Sequence, residues 1–363
     1  MDKTNNKQRS AYWDNIKGLL MLLTVFAHIL FQLQERSEVY NATVDLIYMF
    51  HMPAFVFISG FFGKSERSRS FESILKLIIL YFVFNSIVGF IYGFSSLLQP
   101  MYSYWYLIAL IVWRLTAHHI ARFKEINLIL FIIALFAGFY PSIDNTFAAA
   151  RIIGFYPYYM SGYLLSKEKS DVLTSKKYTK RAAIGFGAAA ASALIAVGAY
   201  SYFDFTDSAL QMGAYDDPIG AFGRIVLYII AFLAIYALRC FSVERKIPFL
   251  TMFGRNTLWI FILHRPLTLL LSDYMTKVPV VWVIIISVLA AVAICIILGN
   301  DITAKLLNKF ADGCTTIFTS EEKKRFDLSK LVILGVGLFF IADVVIQAYS
   351  GVEMEDLEKL ASG

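Results

Sequence analysis

Four ionisable residues stand where an apolar chain least easily tolerates them. His28, His51, Arg151 and His264 each lie inside a run of mostly hydrophobic residues. An ionisable group at bilayer depth costs about 2.5–3.5 kcal/mol or more, so it usually faces a cavity or a partner. At about 1.5 Å per helical residue, all four fall roughly 18–24 Å from the end of the bundle that carries the N-terminus. Four helices bringing polar groups to one level predict a shared polar cavity, against the alternative of scattered structural hydrogen bonds. Imidazole, with an ordinary pKa near about 6.5, is the usual general base for a hydroxyl that must lose its proton. A guanidinium in the same space can act as an oxyanion clamp.

Two further residues extend this pattern along one helix. Lys17 precedes His28 by eleven positions, which is about 20° around an α-helix and roughly 16 Å along it. Both therefore point the same way, a cation near the helix start and an imidazole deep inside. Asp14 shares that face about one turn before Lys17; an ion pair with Lys17 at the membrane edge and a role in the site are both open. His51 precedes Met52-Pro53 and divides between catalysis and hydrogen-bonding a break in the helix, because proline frees backbone groups. Ser59-Gly60 permits close helix approach. Tyr102, Tyr104, Trp105 and Tyr106 are expected at the membrane edge, as an aromatic belt or as sugar-stacking rings.

The elements that must hold these residues are membrane helices. Of 363 residues, 58% are hydrophobic and 17% charged, against about 45–50% and about 25% in an ordinary soluble domain. That excludes disorder, coiled coil and a water-soluble monomer. Apolar runs of about 20 residues can span a bilayer. Eleven are predicted, at roughly 16–34, 44–62, 73–94, 103–121, 127–140, 146–165, 182–203, 221–239, 248–272, 280–299 and 331–350, the fifth being short. The fold class is thus all-α, a polytopic bundle of about 10–11 spans. Alternate loops carry clusters such as Lys64, Arg67, Arg69 and Lys176, Lys177, Lys180, Arg181, while the opposite set holds only Arg36, Lys277 and Lys359. The positive-inside rule then puts the N-terminus in the cytoplasm. It also accounts for the net charge of +6, without nucleic acid as a partner. The three cysteines, Cys240, Cys295 and Cys314, give neither a disulfide framework nor metal spacing, and no metal is expected. The chain divides into a core of about ten spans over 1–299, a cytoplasmic connection over 300–330 that is amphipathic at Ile302–Phe310, and a further span with an acidic tail over 331–363.

The run from Tyr12 to His28, Tyr-Trp-Asp-Asn-Ile-Lys-Gly-Leu-Leu-Met-Leu-Leu-Thr-Val-Phe-Ala-His, resembles the first-span signature of acyltransferase family 3, the integral membrane O-acyltransferases. Tyr48-Met-Phe-His-Met-Pro-Ala-Phe-Val-Phe-Ile-Ser-Gly is similar to the second-span signature. Trp105-Tyr106-Leu107, Arg151 with Phe155-Tyr156-Pro157, and Gly254-Arg255-Asn256-Thr257-Leu258 with His264 are similar to the branch named for fucose 4-O-acetylase. The likeness covers about 10–275. Many members carry arginine where this chain has Lys17; lysine still binds phosphate, as a point charge. The resemblance implies transfer of an acyl group, usually acetyl, from cytoplasmic acetyl-CoA or another acyl-CoA to a hydroxyl of a cell-envelope or exported glycan, in a bacterial-type inner or plasma membrane. On that basis His28, His51 and Arg151 are expected to be catalytic. Lys17 and Asp14 are expected to hold the donor, and His264, Trp105 and Tyr106 the acceptor. The competing class is a transporter or flippase of a lipid-linked glycan, which suits polar groups at midplane depth equally well.

Overall fold

The structure, a computed structural model, describes residues 10–92, 99–143, 146–200, 202, 213–216 and 218–318. Every regular element among these residues is helical. In chain order they are α1 (Ala11–Phe31), α2 (Glu38–Tyr48), α3 (His51–Gly63), α4 (Phe71–Tyr92), α5 (Trp105–Ile120), α6 (Ile126–Ala137) and α7 (Ala149–Leu164). There follow α8 (Lys167–Ser175), α9 (Tyr178–Tyr200), α10 (Ile219–Phe241), α11 (Pro248–Arg255), α12 (Thr257–Met275), α13 (Val280–Gly299) and α14 (Asp301–Phe318). Six segments are long and apolar enough to cross a bilayer: α1, the α2–α3 pair, α4, α9, α10 and α13. The expected spans at α5, α7 and α12 are helices that are shorter or more polar, and α6 has only 12 residues. The expected span at 331–350 and the acidic tail lie outside the described residues.

Two expected spans are broken. The run 44–62 is interrupted by a turn at Met49-Phe50, so that His51 opens α3. Pro53 then falls in the first turn of α3, where a missing N–H leaves no helical bond unmade. The run 248–272 is likewise two helices, divided at Asn256. The Asn256 side chain donates to the Gly299 carbonyl at 2.7 Å, tying this break to the end of α13. The connection after α13 is itself the helix α14, held to α4 by a 2.9 Å ion pair between Asp312 and Lys76.

α1 is the axis of the bundle. It packs against α2, α11, α12 and α13, and touches α3. Two pairs of glycines fix the closest crossings. A Cβ on Gly18 of α1 would run into the Leu250 carbonyl of α11, and one on Gly254 of α11 into the Asp14 carbonyl of α1. The same reciprocity joins α3 to α7: Gly60 faces the Tyr159 carbonyl, and Gly162 the Phe57 carbonyl. Lipid tails are as apolar as leucine, so close backbone contact of this kind is what holds membrane helices together. Gly60→Ala forces backbone apart and is expected to cost about 1–3 kcal/mol, seen as a lower thermal midpoint in detergent. Gly187→Ala, on a helix surface open to a new methyl group, is the control and should be neutral or stabilising.

Candidate functional site

At the polar level of the bundle, side chains donate to backbone carbonyls. At the α2–α3 turn the Ile47 carbonyl lies near a helix end, and His51 Nδ1 donates to it at 2.9 Å. In α12, Pro266 cannot donate to the carbonyl four residues earlier, that of Ile262. The Tyr104 hydroxyl supplies the missing donor at 2.8 Å. Tyr104 is therefore fully buried inside the bundle and Trp105 is 6% exposed, so neither presents its ring to lipid as a belt aromatic does.

His264 is also fully buried, and its Nδ1 lies 2.9 Å from the Ile260 carbonyl. A carbonyl only accepts, so Nδ1 carries the proton, and in the neutral ring Nε2 is left with a lone pair. That Nε2 is 2.8 Å from His28 Nδ1, with the two ring planes within 14° of each other. His28 Nδ1 must then donate, which leaves His28 Nε2 as its accepting atom. The chain Ile260 carbonyl–His264–His28 thereby fixes both tautomers without a carboxylate. By the same logic, His51 keeps Nε2 as its accepting atom.

His28 and His51 line one chamber of about 280 Å³ together with Tyr48, Ser103, Trp105, Arg151 and Arg265. The His28 ring centroid is 6.5 Å from that of His51 and 6.0 Å from that of Tyr48. The Arg151 guanidinium sits 5.1 Å over Trp105, and that of Arg265 sits 4.5 Å over Tyr102. Arg265 also reaches the His28 carbonyl at 3.4 Å.

A second chamber of about 320 Å³ lies on the Lys17 side of the first. The two share only Met52 and Phe261 among their lining residues. Lys17, Lys76, Arg114, Ser59 and Tyr106 line this second space, and Ser59 and Tyr106 are hydrogen-bonded at 2.6 Å. Through Lys17, Ser59 and Arg114 it continues into a vestibule of about 1300 Å³. Lys17, Lys64, Arg67, Arg114, Lys167 and Lys246 line the vestibule, against Asp14, Asp171 and Glu244. Asp14 is buried and holds Lys17 in a 2.7 Å ion pair. The Lys64 ammonium donates to the Leu165 carbonyl. Burial pushes its pKa below the ordinary lysine range, and Glu168 works in the opposite direction.

The structure thus brings His28, His51, Arg151 and Trp105 to one chamber and Lys17 with Asp14 to the approach. Tyr106 lines the Lys17 chamber instead of joining Trp105. His264 is absent from the chamber walls and stands behind His28. Arg265, Tyr48 and Ser103 were not singled out from the sequence. Arg265 is a basic residue directly after His264, and Tyr48 opens the second-span run quoted above, so each had a signal; Ser103 had none. Among the described residues, no group of three metal-ligating side chains is placed to hold a metal ion.

No curated protein and no solved structure matches this chain. The family described as acyltransferase domain does, over residues 10–300. That stretch contains every residue of both chambers, and with several helices long and apolar enough to span a bilayer it leads to one conclusion: the chain belongs to acyltransferase family 3 and is a multi-pass membrane acyltransferase.

Proposed function

We propose that the protein moves an acyl group, most simply acetyl, from acyl-CoA in the vestibule to a hydroxyl of a cell-envelope or exported glycan in the His28 chamber. The observation that carries this reading is the position of His28. His28, whose accepting atom is Nε2, lines a chamber that shares only Met52 and Phe261 with a second, basic one. The loop residues Lys64, Arg67, Lys167 and Lys246 of the vestibule belong to the lysine- and arginine-rich set of connections. The positive-inside rule therefore supports a cytoplasmic vestibule and N-terminus, in a bacterial-type cell membrane.

In this mechanism Lys17, oriented by Asp14, meets a phosphate of the donor, and the thioester end reaches past Met52 and Phe261. The acceptor O–H gives its proton to His28 Nε2 as its oxygen attacks the thioester carbon. A C–O bond forms, and Arg151 stabilises the oxyanion of the tetrahedral intermediate. Collapse breaks the C–S bond, and the imidazolium returns the proton to the departing sulfur. The products are the acyl ester and free CoA thiol. His264 touches neither substrate; it holds the His28 tautomer, as a positioning residue. His51 Nε2 is a second acceptor within the same chamber, suited to orienting the attacking hydroxyl.

Purified protein, labelled acetyl-CoA and crude envelope glycan test the reading directly. His28→Ala should keep the detergent-solubilised fold and lose about 10²–10⁴-fold in transfer rate, the usual worth of a general base. Full activity in that variant would remove His28 as the base, and no labelled transfer by the unaltered protein would favour the transporter reading instead. His264→Leu should lower kcat by about tenfold or more with acceptor KM little changed, because it removes the orienting bond and no substrate contact; a change confined to KM would contradict the positioning role. Lys17→Ala should chiefly raise KM for acyl-CoA, and an unchanged KM would remove Lys17 from the donor path.

A further inference from the structure

The Lys17 chamber and the His28 chamber have only two lining residues in common, Met52 and Phe261. In the proposed reaction the acyl carbon meets a hydroxyl held at His28 Nε2, while its sulfur is still joined to a chain that arrives from the Lys17 side. The C–S bond then lies at Met52 and Phe261, and the carbon beside the thioester carbonyl has to clear both. Every acyl group meets these two side chains, whatever the acceptor.

The two differ in stiffness. Phe261 is 6% exposed and is held from several directions. The Tyr106 ring meets it edge-on with centroids 5.3 Å apart, and the His264 ring lies 6.1 Å away. Tyr106 is itself fixed by its 2.6 Å hydrogen bond to Ser59. The backbone beside Phe261 is fixed too, because Tyr104 holds the Ile262 carbonyl. Met52 is only half-buried, in the first turn of α3. Methionine is unbranched, with three rotatable bonds, and adapts to what lies against it. A fixed ring and one movable thioether make an opening that a straight chain can thread. A straight acyl chain is no wider in its tail than acetyl. A methyl branch on the carbon beside the carbonyl widens the group where the two side chains meet it, and close-packed rings yield little to such a misfit.

Resting on the acyl-transfer reading, we propose that Met52 and Phe261 select the donor by the width of its acyl group, passing straight chains and rejecting those branched beside the carbonyl. Ser59 and Tyr106 serve this selection indirectly, by holding Phe261 in place.

Butyryl and isobutyryl groups separate width from volume, because they are isomers and need the same room once inside the His28 chamber. The experiment uses purified protein, envelope glycan from cells that make it, and radiolabelled acetyl-, butyryl- and isobutyryl-CoA. The unaltered protein should favour butyryl over isobutyryl by about tenfold or more in kcat/KM, within the range that one methyl group commands in an apolar pocket. Phe261→Leu and Met52→Ala should each lower that ratio about fivefold or more. Comparing the ratio between variants removes the intrinsic difference in reactivity of the two thioesters. The ratio is also taken within one protein sample, so a loss of folded molecules does not change it. If Phe261→Leu fails to fold, Met52→Ala decides. Equal use of both isomers by the unaltered protein, or use of neither while acetyl is transferred, overturns the proposal and leaves acyl transfer standing. So does an unchanged ratio in the folded variants. No His28-dependent label from acetyl-CoA overturns the acyl-transfer reading, and this proposal with it.

Discussion

A carbonyl released from its helix inside a bilayer has no water to turn to, and this constraint organises the centre of the protein. Pro266 leaves the Ile262 carbonyl without its helical donor, and the Tyr104 hydroxyl answers it; at the Met49-Phe50 turn the Ile47 carbonyl accepts from both the Phe50 N–H and His51. His264 makes the same kind of bond to Ile260. Tyr104 ends up pinned, since leaving would strand the buried Ile262 carbonyl. Of the rings that donate to these carbonyls, His51 and His264 stand beside His28. The stability of the broken helices and the placement of the chemistry are therefore one set of hydrogen bonds.

The glycine crossings work at a larger scale. Gly18 with Gly254 brings α11 against the start of α1, beside Asp14; Gly60 with Gly162 brings α7 against α3. Arg151 and Phe155 ride on α7, and His51 and Met52 on α3. A wider α3–α7 separation would pull the opposite walls of the His28 chamber apart. Aliphatic packing alone would not hold that spacing, because neighbouring lipid offers the same contacts.

Much of this was legible in the sequence, and the reason is the same constraint. Charged and imidazole groups are so costly in an apolar run that their positions signal a cavity, and simple rise-per-residue arithmetic put His28, His51 and Arg151 at a common depth. The eleven-residue spacing of Lys17 and His28 aligned them on successive chambers. What the sequence did not reveal depends on local backbone. A hydropathy window cannot register a two-residue turn, so α2–α3 and α11–α12 read as continuous spans. Tyr104 and Trp105 read as edge aromatics because nothing linear links Tyr104 to a carbonyl 158 positions away. Ser103 carries no charge and falls in none of the quoted runs, so its place emerged only from the chamber it lines.

Met52 and Phe261 bear on something other than catalysis. A passage that admits one substrate from each face of a membrane is also a potential leak, because a continuous file of water would conduct protons and discharge any gradient the membrane maintains. The two spaces here meet at a thioether and a phenyl ring, neither of which has a proton to donate to such a file. In the proposed reaction the same pair would let a small acyl group pass while interrupting such a file of water.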